Sequence, residues 1–258
     1  MAFEGLILAA GEGRRLRPLT DTVPKALVRV AGAPLLAHVA RSLVAAGSAR
    51  LVVTAHSLAE QVQAWVDQTQ ALTVIRVSRE DRVADKPLET GGGILHAWRL
   101  MEGTAPFVVH NADVLSDINL KALYRAHLEG EAQDGRLATL AVLRRPTKRP
   151  LIVDARGVAG LRTGLVRSAE GPTDAFGFLG VHVISHRLPA MITERGAFSI
   201  FGTYMRLIRG GERIAVYEAA GARWFDIGTP ERLAAARGSK LAESLAGTLA
   251  RTTAAKTS

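Results

Sequence analysis

The chain has no cysteine, which excludes disulfide bonds and thiolate metal sites. No apolar stretch reaches the roughly 18 residues that a membrane-spanning helix needs, so no membrane partner is expected. The opening Met1-Ala2-Phe3-Glu4 carries neither a basic n-region nor a cleavage pattern, and the expected compartment is the cytoplasm. Aromatic residues make up only 5% of the chain and are not interleaved with basic ones. A base-stacking nucleic-acid surface is therefore not expected, although 33 Lys+Arg against 24 Asp+Glu leave a net charge of +9. A basic surface attracts a polyanion, and the better candidate is a nucleotide. Part of the excess belongs to the tail, where Arg237, Lys240, Arg251 and Lys256 face only Glu243. No Ser-His-Asp or His-Glu set stands out. The Walker A string is absent, and Leu16 occupies the place of the third glycine in a dinucleotide fingerprint.

What remains is a globular composition, 48% hydrophobic over 258 residues, enough for one sizeable domain. Its centre is the string from Leu6 to Arg29. Leu6 to Ala10 has the length of a buried strand. It runs into Gly11-Glu12-Gly13 and then Arg14, Arg15 and Arg17. Pro18 and Pro24 keep the next segment from becoming one regular helix, and Lys25 closes it. Glycines let backbone N–H groups approach oxygens, and arginine forks hold phosphate oxygens. A strand end, a glycine turn and fixed cations together form a phosphate cradle.

The first half alternates strand and helix signals. Pro34 opens a helix through Leu43 with Gly47 as C-cap. Leu51 to Thr54 and Leu72 to Val77 are strands, and Leu58 to Val66 is a helix between them. This alternation predicts an α/β fold, doubly wound on a mostly parallel central sheet, with ligands beyond the carboxyl ends of strands. A polar loop follows at 78–90, then Gly91-Gly92-Gly93 opening a helix from Ile94 to Met101. Pro106 to His110 is a strand that ends at Asn111-Ala112-Asp113. Asp117 is expected to cap a helix starting near Asn119. From Arg144 to Pro172 the pattern changes to two short strands around a turn at Asp154 to Gly157, read as a small antiparallel insertion (144–172). Phe176 to Ile184 returns to the sheet, Ser199 to Ile208 is a helix, and Thr229 with Pro230 makes a strong helix start after Asp226. The domain is expected to span 1–238, with 239–258 a flexible tail.

In combination these strings resemble the signature L-A-x-G-x-G-x-R-L-x-P-L-T…P-K-x-L of the sugar-1-phosphate nucleotidyltransferases. The spelling P-L-E-T-G-G-G-I is similar to that of the members acting on N-acetylmuramate 1-phosphate. The resemblance implies a Mg²⁺-dependent enzyme with a nucleoside triphosphate and a sugar-1-phosphate as its substrate partners. Arg15 and Lys25 would be catalytic. Ala10, Gly11, Gly13, Glu89 and Gly92 would bind the nucleotide, and Gly180 would lie against the sugar. Asp113, in N-A-D where relatives read N-G-D, and Asp226, in W-F-D-I-G-T-P, would hold the metal. The E-K-P lysine that many relatives place on the sugar phosphate is missing. Arg162, Arg167 and Lys148 stand as candidates for its role. The spelling favours UTP, with a guanylyltransferase for mannose- or heptose-1-phosphate as the alternative. A nucleotide- or RNA-binding module without catalysis is the non-enzyme alternative. Relatives range from monomers to tetramers.

Overall fold

The apolar run near the start becomes β1 (Phe3–Leu8), shorter at its carboxyl end than its composition indicates. In this computed structural model, which describes residues 2–69, 73–162 and 164–245, the prolines break the following segment into turns. Two short 3₁₀ turns, at Arg14–Leu16 and Lys25–Leu27, flank the single turn α1 (Leu19–Thr22). A two-residue ribbon, β2 (Arg29–Val30) and β3 (Ala33–Pro34), leads into α2 (Leu35–Ala46), which ends on Gly47 in the left-handed conformation. The alternation continues through β4 (Ser48–Ala55), α3 (Ala59–Thr69), β5 (Val74–Arg79), α4 (Glu89–Trp98) and β6 (Phe107–Asn111). Then come β7 (Val114–Ser116), α5 (Leu120–Asp134) and β8 (Ala138–Leu143), followed by the meander β9 (Leu151–Asp154), β10 (Gly157–Leu161) and β11 (Gly164–Leu165). The chain returns through β12 (Asp174–Ile184), α6 (Ile200–Arg209), β13 (Ile214–Glu218), β14 (Trp224–Asp226) and α7 (Pro230–Arg237).

Ten of these strands form one sheet. Its first half, β6-β1-β4-β5, is parallel throughout. β12 is the hinge of the topology. Its last four residues run antiparallel to β6 on one side, Gly177, Phe178 and its last three residues run antiparallel to β8 on the other, and its first three pair with β9. β13 then pairs parallel to β8. The fold is α/β, as its alternation predicts, with antiparallel pairing concentrated in the second half.

Both faces of the sheet are covered, and strand alternation sorts the residues. Ile7, Val53 and Val108 point into one core beneath α2, α3 and α5. Leu6, Val52, Phe107 and Val109 point into the other, beneath α4 and α6. The 144–172 segment does not stand apart from this core: Leu151, Val153 and Val158 are buried in it. A third, smaller cluster ties the start of the chain to its end. Leu16, Val28 and Val30 pack with Leu115, Ile227, Leu233, Leu241 and Ala242. Residues 240–245, part of the expected tail, are instead helical, and two of their apolar side chains are buried. Residues 246–258 lie outside the described residues. Among the described residues no helix is long and apolar enough to cross a membrane.

Two expectations about helix starts are corrected. Asn119, not Asp117, caps α5, accepting from the Ala122 N–H at 3.0 Å. Asp117 instead takes the Arg223 backbone N–H and guanidinium, each at 2.7 Å. The glycine triplet does not precede a helix but lies inside α4.

Candidate active site

A cleft of about 270 Å³ opens at the carboxyl ends of β1, β4 and β6. The predicted cradle forms its floor. Ala10, Gly11, Gly13, Arg15 and Lys25 all line it. The Thr54 hydroxyl, on β4, accepts from the Ala9 and Ala10 N–H groups at 2.9 and 3.2 Å and so fixes where the loop leaves the strand. Gly13 then turns the chain at φ 68°, and a Cβ there would stand 2.8 Å from the Thr20 side chain and 3.2 Å from Lys25. The Gly13 carbonyl is held by the Leu16 N–H and the Thr20 hydroxyl, both at 2.8 Å. Gly11 differs: nothing lies within 4 Å of where its Cβ would be. Gly13 is thus needed by the protein itself, and Gly11 leaves open space for a ligand against the backbone.

Lys25 and Asp113 meet across the cleft in an ion pair between Nζ and Oδ2. Asp113 follows β6, and its backbone carbonyl accepts from the Ile227 N–H at 2.8 Å. The β7–β14 ribbon extends this contact, with Asp226 opposite Val114. The two predicted metal aspartates, 113 residues apart, are therefore brought near each other, Asp113 in the turn before β7 and Asp226 on β14, opposite Val114. Asp226 is ion-paired with Arg232. Gly228 joins it to the cradle: a Cβ at Gly228 would lie 2.8 Å from the Arg15 guanidinium and 3.1 Å from Asp226 Oδ1. Carboxylate oxygens suit a hard divalent cation, and Mg²⁺ is commonly held by one or two carboxylates completed by phosphate oxygens and water. The pair fits that pattern. Among the described residues no group of three or more His, Asp or Glu forms a complete cage.

Glu89 lines the cleft with Thr90 and Pro87, and its backbone is left-handed at φ 59°. Gly92 does not line it. The triplet is explained by contacts inside the protein. A Cβ at Gly91 would strike the Phe198 ring at 2.2 Å, one at Gly92 the Gly196 carbonyl at 2.4 Å, and one at Gly93 the Glu80 carboxylate at 2.8 Å. Gly180 is also off the cleft wall. It sits at φ 77° where Asn111 and Val114 fill the space a Cβ would take. Of the candidates for the sugar phosphate, Arg167 is committed elsewhere, forked onto Asp154 at 2.6 and 2.7 Å. Arg162 and Lys148 are exposed in and beside the meander and line none of the cleft.

Two lining residues were not anticipated. Glu80, 1% exposed, follows β5, takes the Leu88 N–H at 2.8 Å and bonds Thr54. Burial raises its pKa, against the lowering effect of the Leu88 N–H, His56 and Thr54. Thr54 and Glu80 sit where the chain leaves parallel strands, the place the topology marks for ligands. That rule, applied to every predicted strand, would have found both.

A glycine-lined anion cleft at the ends of a parallel sheet, with cations on its floor and carboxylates at its rim, defines a nucleotide-handling group-transfer enzyme. Residues 4–150 match the family described as Nucleotidyl transferase. The chain belongs to this family, among the sugar-1-phosphate nucleotidyltransferases. It is 34% identical over 241 residues to the N-acetylmuramate alpha-1-phosphate uridylyltransferase of Caulobacter vibrioides, covering 92% of this chain and 96% of that one. It is 28% identical over 233 residues to the mannose-1-phosphate guanyltransferase of Gibberella zeae, covering 89% of this chain and 62% of that one. The UDP-glucose pyrophosphorylase from Acinetobacter baumanii shares the fold at a TM-score of 0.73 and 16% identity, over 98% of this chain and 100% of that one.

Proposed function

We propose that the chain transfers a uridylyl group from UTP to a sugar-1-phosphate of the N-acetylmuramate type, with Mg²⁺, releasing pyrophosphate. The observation that carries this reading is the meeting of Arg15, Lys25 and Asp113 around open backbone at Gly11. The choice of base and sugar is supported by the near full-length likeness to the Caulobacter uridylyltransferase.

The acceptor phosphate is already mostly dianionic at neutral pH, since its second pKa is about 6. It needs no general base. The difficulty is to bring two polyanions together and to meet the charge that develops in transfer. Arg15, in the first turn after Gly13, would hold the departing pyrophosphate. Lys25 would meet the reacting phosphoryl group, and the Gly11 and Gly13 amides the oxygens between them. Glu89 would meet the base or ribose. Asp113 and Asp226 would hold Mg²⁺, which when bound supplies positive charge to phosphate oxygens. Nucleoside triphosphates are cytoplasmic substrates, and the reaction is assigned there.

A panel of UTP, GTP, dTTP, CTP and ATP against N-acetylmuramate 1-phosphate and mannose 1-phosphate, read by pyrophosphate release, tests the assignment. UTP with the muramate is expected to give the highest kcat/KM. A clear preference for GTP with mannose 1-phosphate would replace this reading with the guanylyl one, which the Gibberella likeness favours.

A further inference from the structure

The nucleotidyl-transfer reading gives the cradle loop its task, and the inference here rests on that reading. The loop leaves β1 at Ala9 and turns at Gly13. Two threonine hydroxyls pin it, one at each end. At the entrance Thr54 Oγ1 accepts from the Ala9 N–H at 2.9 Å and from the Ala10 N–H at 3.2 Å. At the exit the Thr20 hydroxyl donates to the Gly13 carbonyl at 2.8 Å. Between the pins, among the described residues, no protein atom accepts from the Gly11 N–H.

The entrance pin takes over where the sheet stops. β1 and β4 pair in register as far as Ile7 and Val53, and Thr54 is the next residue of β4. Two consecutive N–H groups that meet on one oxygen show that the chain has left the strand and curled into a concave turn, of the kind that cradles anions. The Thr54 oxygen fills that concavity from the protein side. A hydroxyl that accepts twice has its own proton to place, and the buried Glu80 carboxylate bonds it. That bond leaves the lone pairs of the oxygen to the loop. Gly11, one residue further, lines the cleft with open space against it. Both threonines are buried and their hydroxyls are taken up by the protein, so they act through the loop and not on a substrate.

We propose that Thr54, with Thr20 as the second pin, is a positioning residue for nucleotidyl transfer: it sets the curl that presents the Gly11 amide to a phosphate oxygen of the nucleotide. Without the hydroxyl, the Ala9 and Ala10 N–H groups lose their acceptor. The loop then turns them toward water in the cleft, and Gly11 moves with them.

Initial rates with UTP, Mg²⁺ and N-acetylmuramate 1-phosphate, measured on the full chain, test this. Thr54→Val keeps the shape of the side chain and removes the hydroxyl. It is expected to raise the KM for UTP about 3–10-fold, the size of one lost hydrogen bond, with the KM for the sugar phosphate within about twofold. Calorimetric titration with UTP and Mg²⁺ alone should show a similar loss of affinity without turnover. Thr54→Ser returns the hydroxyl without the methyl; it should restore the UTP constants even as the lost methyl lowers the melting temperature. Thr20→Val should show a smaller rise in the KM for UTP, since the Leu16 N–H still holds the Gly13 carbonyl at 2.8 Å. Unchanged UTP constants in Thr54→Val, with only a lower melting temperature, would overturn the proposal while leaving nucleotidyl transfer intact. So would a Thr54→Ser variant as impaired as Thr54→Val, which would make the methyl the agent. If Thr54→Val does not fold, Thr20→Val decides, and an unchanged KM for UTP there overturns the proposal. If the unaltered chain turns over no pair of substrates, the nucleotidyl-transfer reading falls; nucleotide binding that still depends on the Thr54 hydroxyl would then uphold the positioning role alone, and its absence would remove both.

Discussion

The cleft and the Asp226 ribbon beside it are built by different rules. Around the cleft the strands are parallel, and each delivers its contribution as the chain leaves it: Gly11 after β1, Thr54 near the end of β4, Glu80 after β5, Asp113 after β6. On the Asp226 side the sheet turns antiparallel through β12, and the side chains arrive from strands far apart in sequence. Trp224 and Asp226 come from a two-stranded ribbon. Parallel crossovers put all carboxyl ends at one edge, so each strand's end marks where its contribution falls. Antiparallel and ribbon pairing bring residues together only through the tertiary fold. The cradle from Gly11 to Lys25 can therefore be written as one continuous string, whereas Thr54, Glu80 and the Asp226 ribbon reach it only through the fold.

The largest expected effects break the nucleotide half. Lys25→Ala and Asp113→Asn should each lower the rate of pyrophosphate release by roughly 10²–10³, with the circular dichroism spectrum unchanged. Full activity in either variant would contradict the assigned roles.

The seam between the halves should respond to acid. His110 on β6 and His182 on β12 occupy adjacent positions in the paired strands, and burial is the main force lowering their pKa values, to about 4 and about 3. Each native pKa lies below the unfolded value of about 6.5. As pH falls from about 6.5 toward 4, the unfolded chain takes up protons that the native state refuses, so stability falls in that window. The loss should be on the order of 2–3 kcal/mol per histidine, read as a falling melting temperature. A flat profile between those pH values would show that these rings are not held neutral.

Smaller effects sharpen the division between glycines the protein needs and glycines the ligand needs. Gly92→Ala drives a methyl into the Gly196 carbonyl and should destabilise by about 1–3 kcal/mol. Gly11→Ala meets nothing; it should leave the melting temperature unchanged and raise the KM for the nucleotide several-fold. The opposite pattern would exchange their roles.

Much of the architecture was legible. Periodicity, Gly47, Ser199 and Thr229 placed most helices close to where they lie, because caps are local chemistry. What was misread depended on distant partners. Three consecutive glycines read alike whether they approach a ligand or, as here, Phe198, Gly196 and Glu80. Asp117 and Asn119 are both good caps, and only the pairing of β7 with β14 brings Arg223 to claim the aspartate. Arg167 looked free because Asp154, its partner, lies 13 residues back, with β10 and β11 between them.

The central claim is that one phosphate displaces another in this cleft. Phosphorus NMR of a mixture of UTP, N-acetylmuramate 1-phosphate, Mg²⁺ and the full chain follows that exchange directly. The account predicts a nucleoside diphosphate-sugar and pyrophosphate appearing in equal amounts, with both signals abolished by Asp226→Asn. Nucleotide binding with no diphosphate-sugar formed from any nucleotide and sugar-phosphate pair would contradict it.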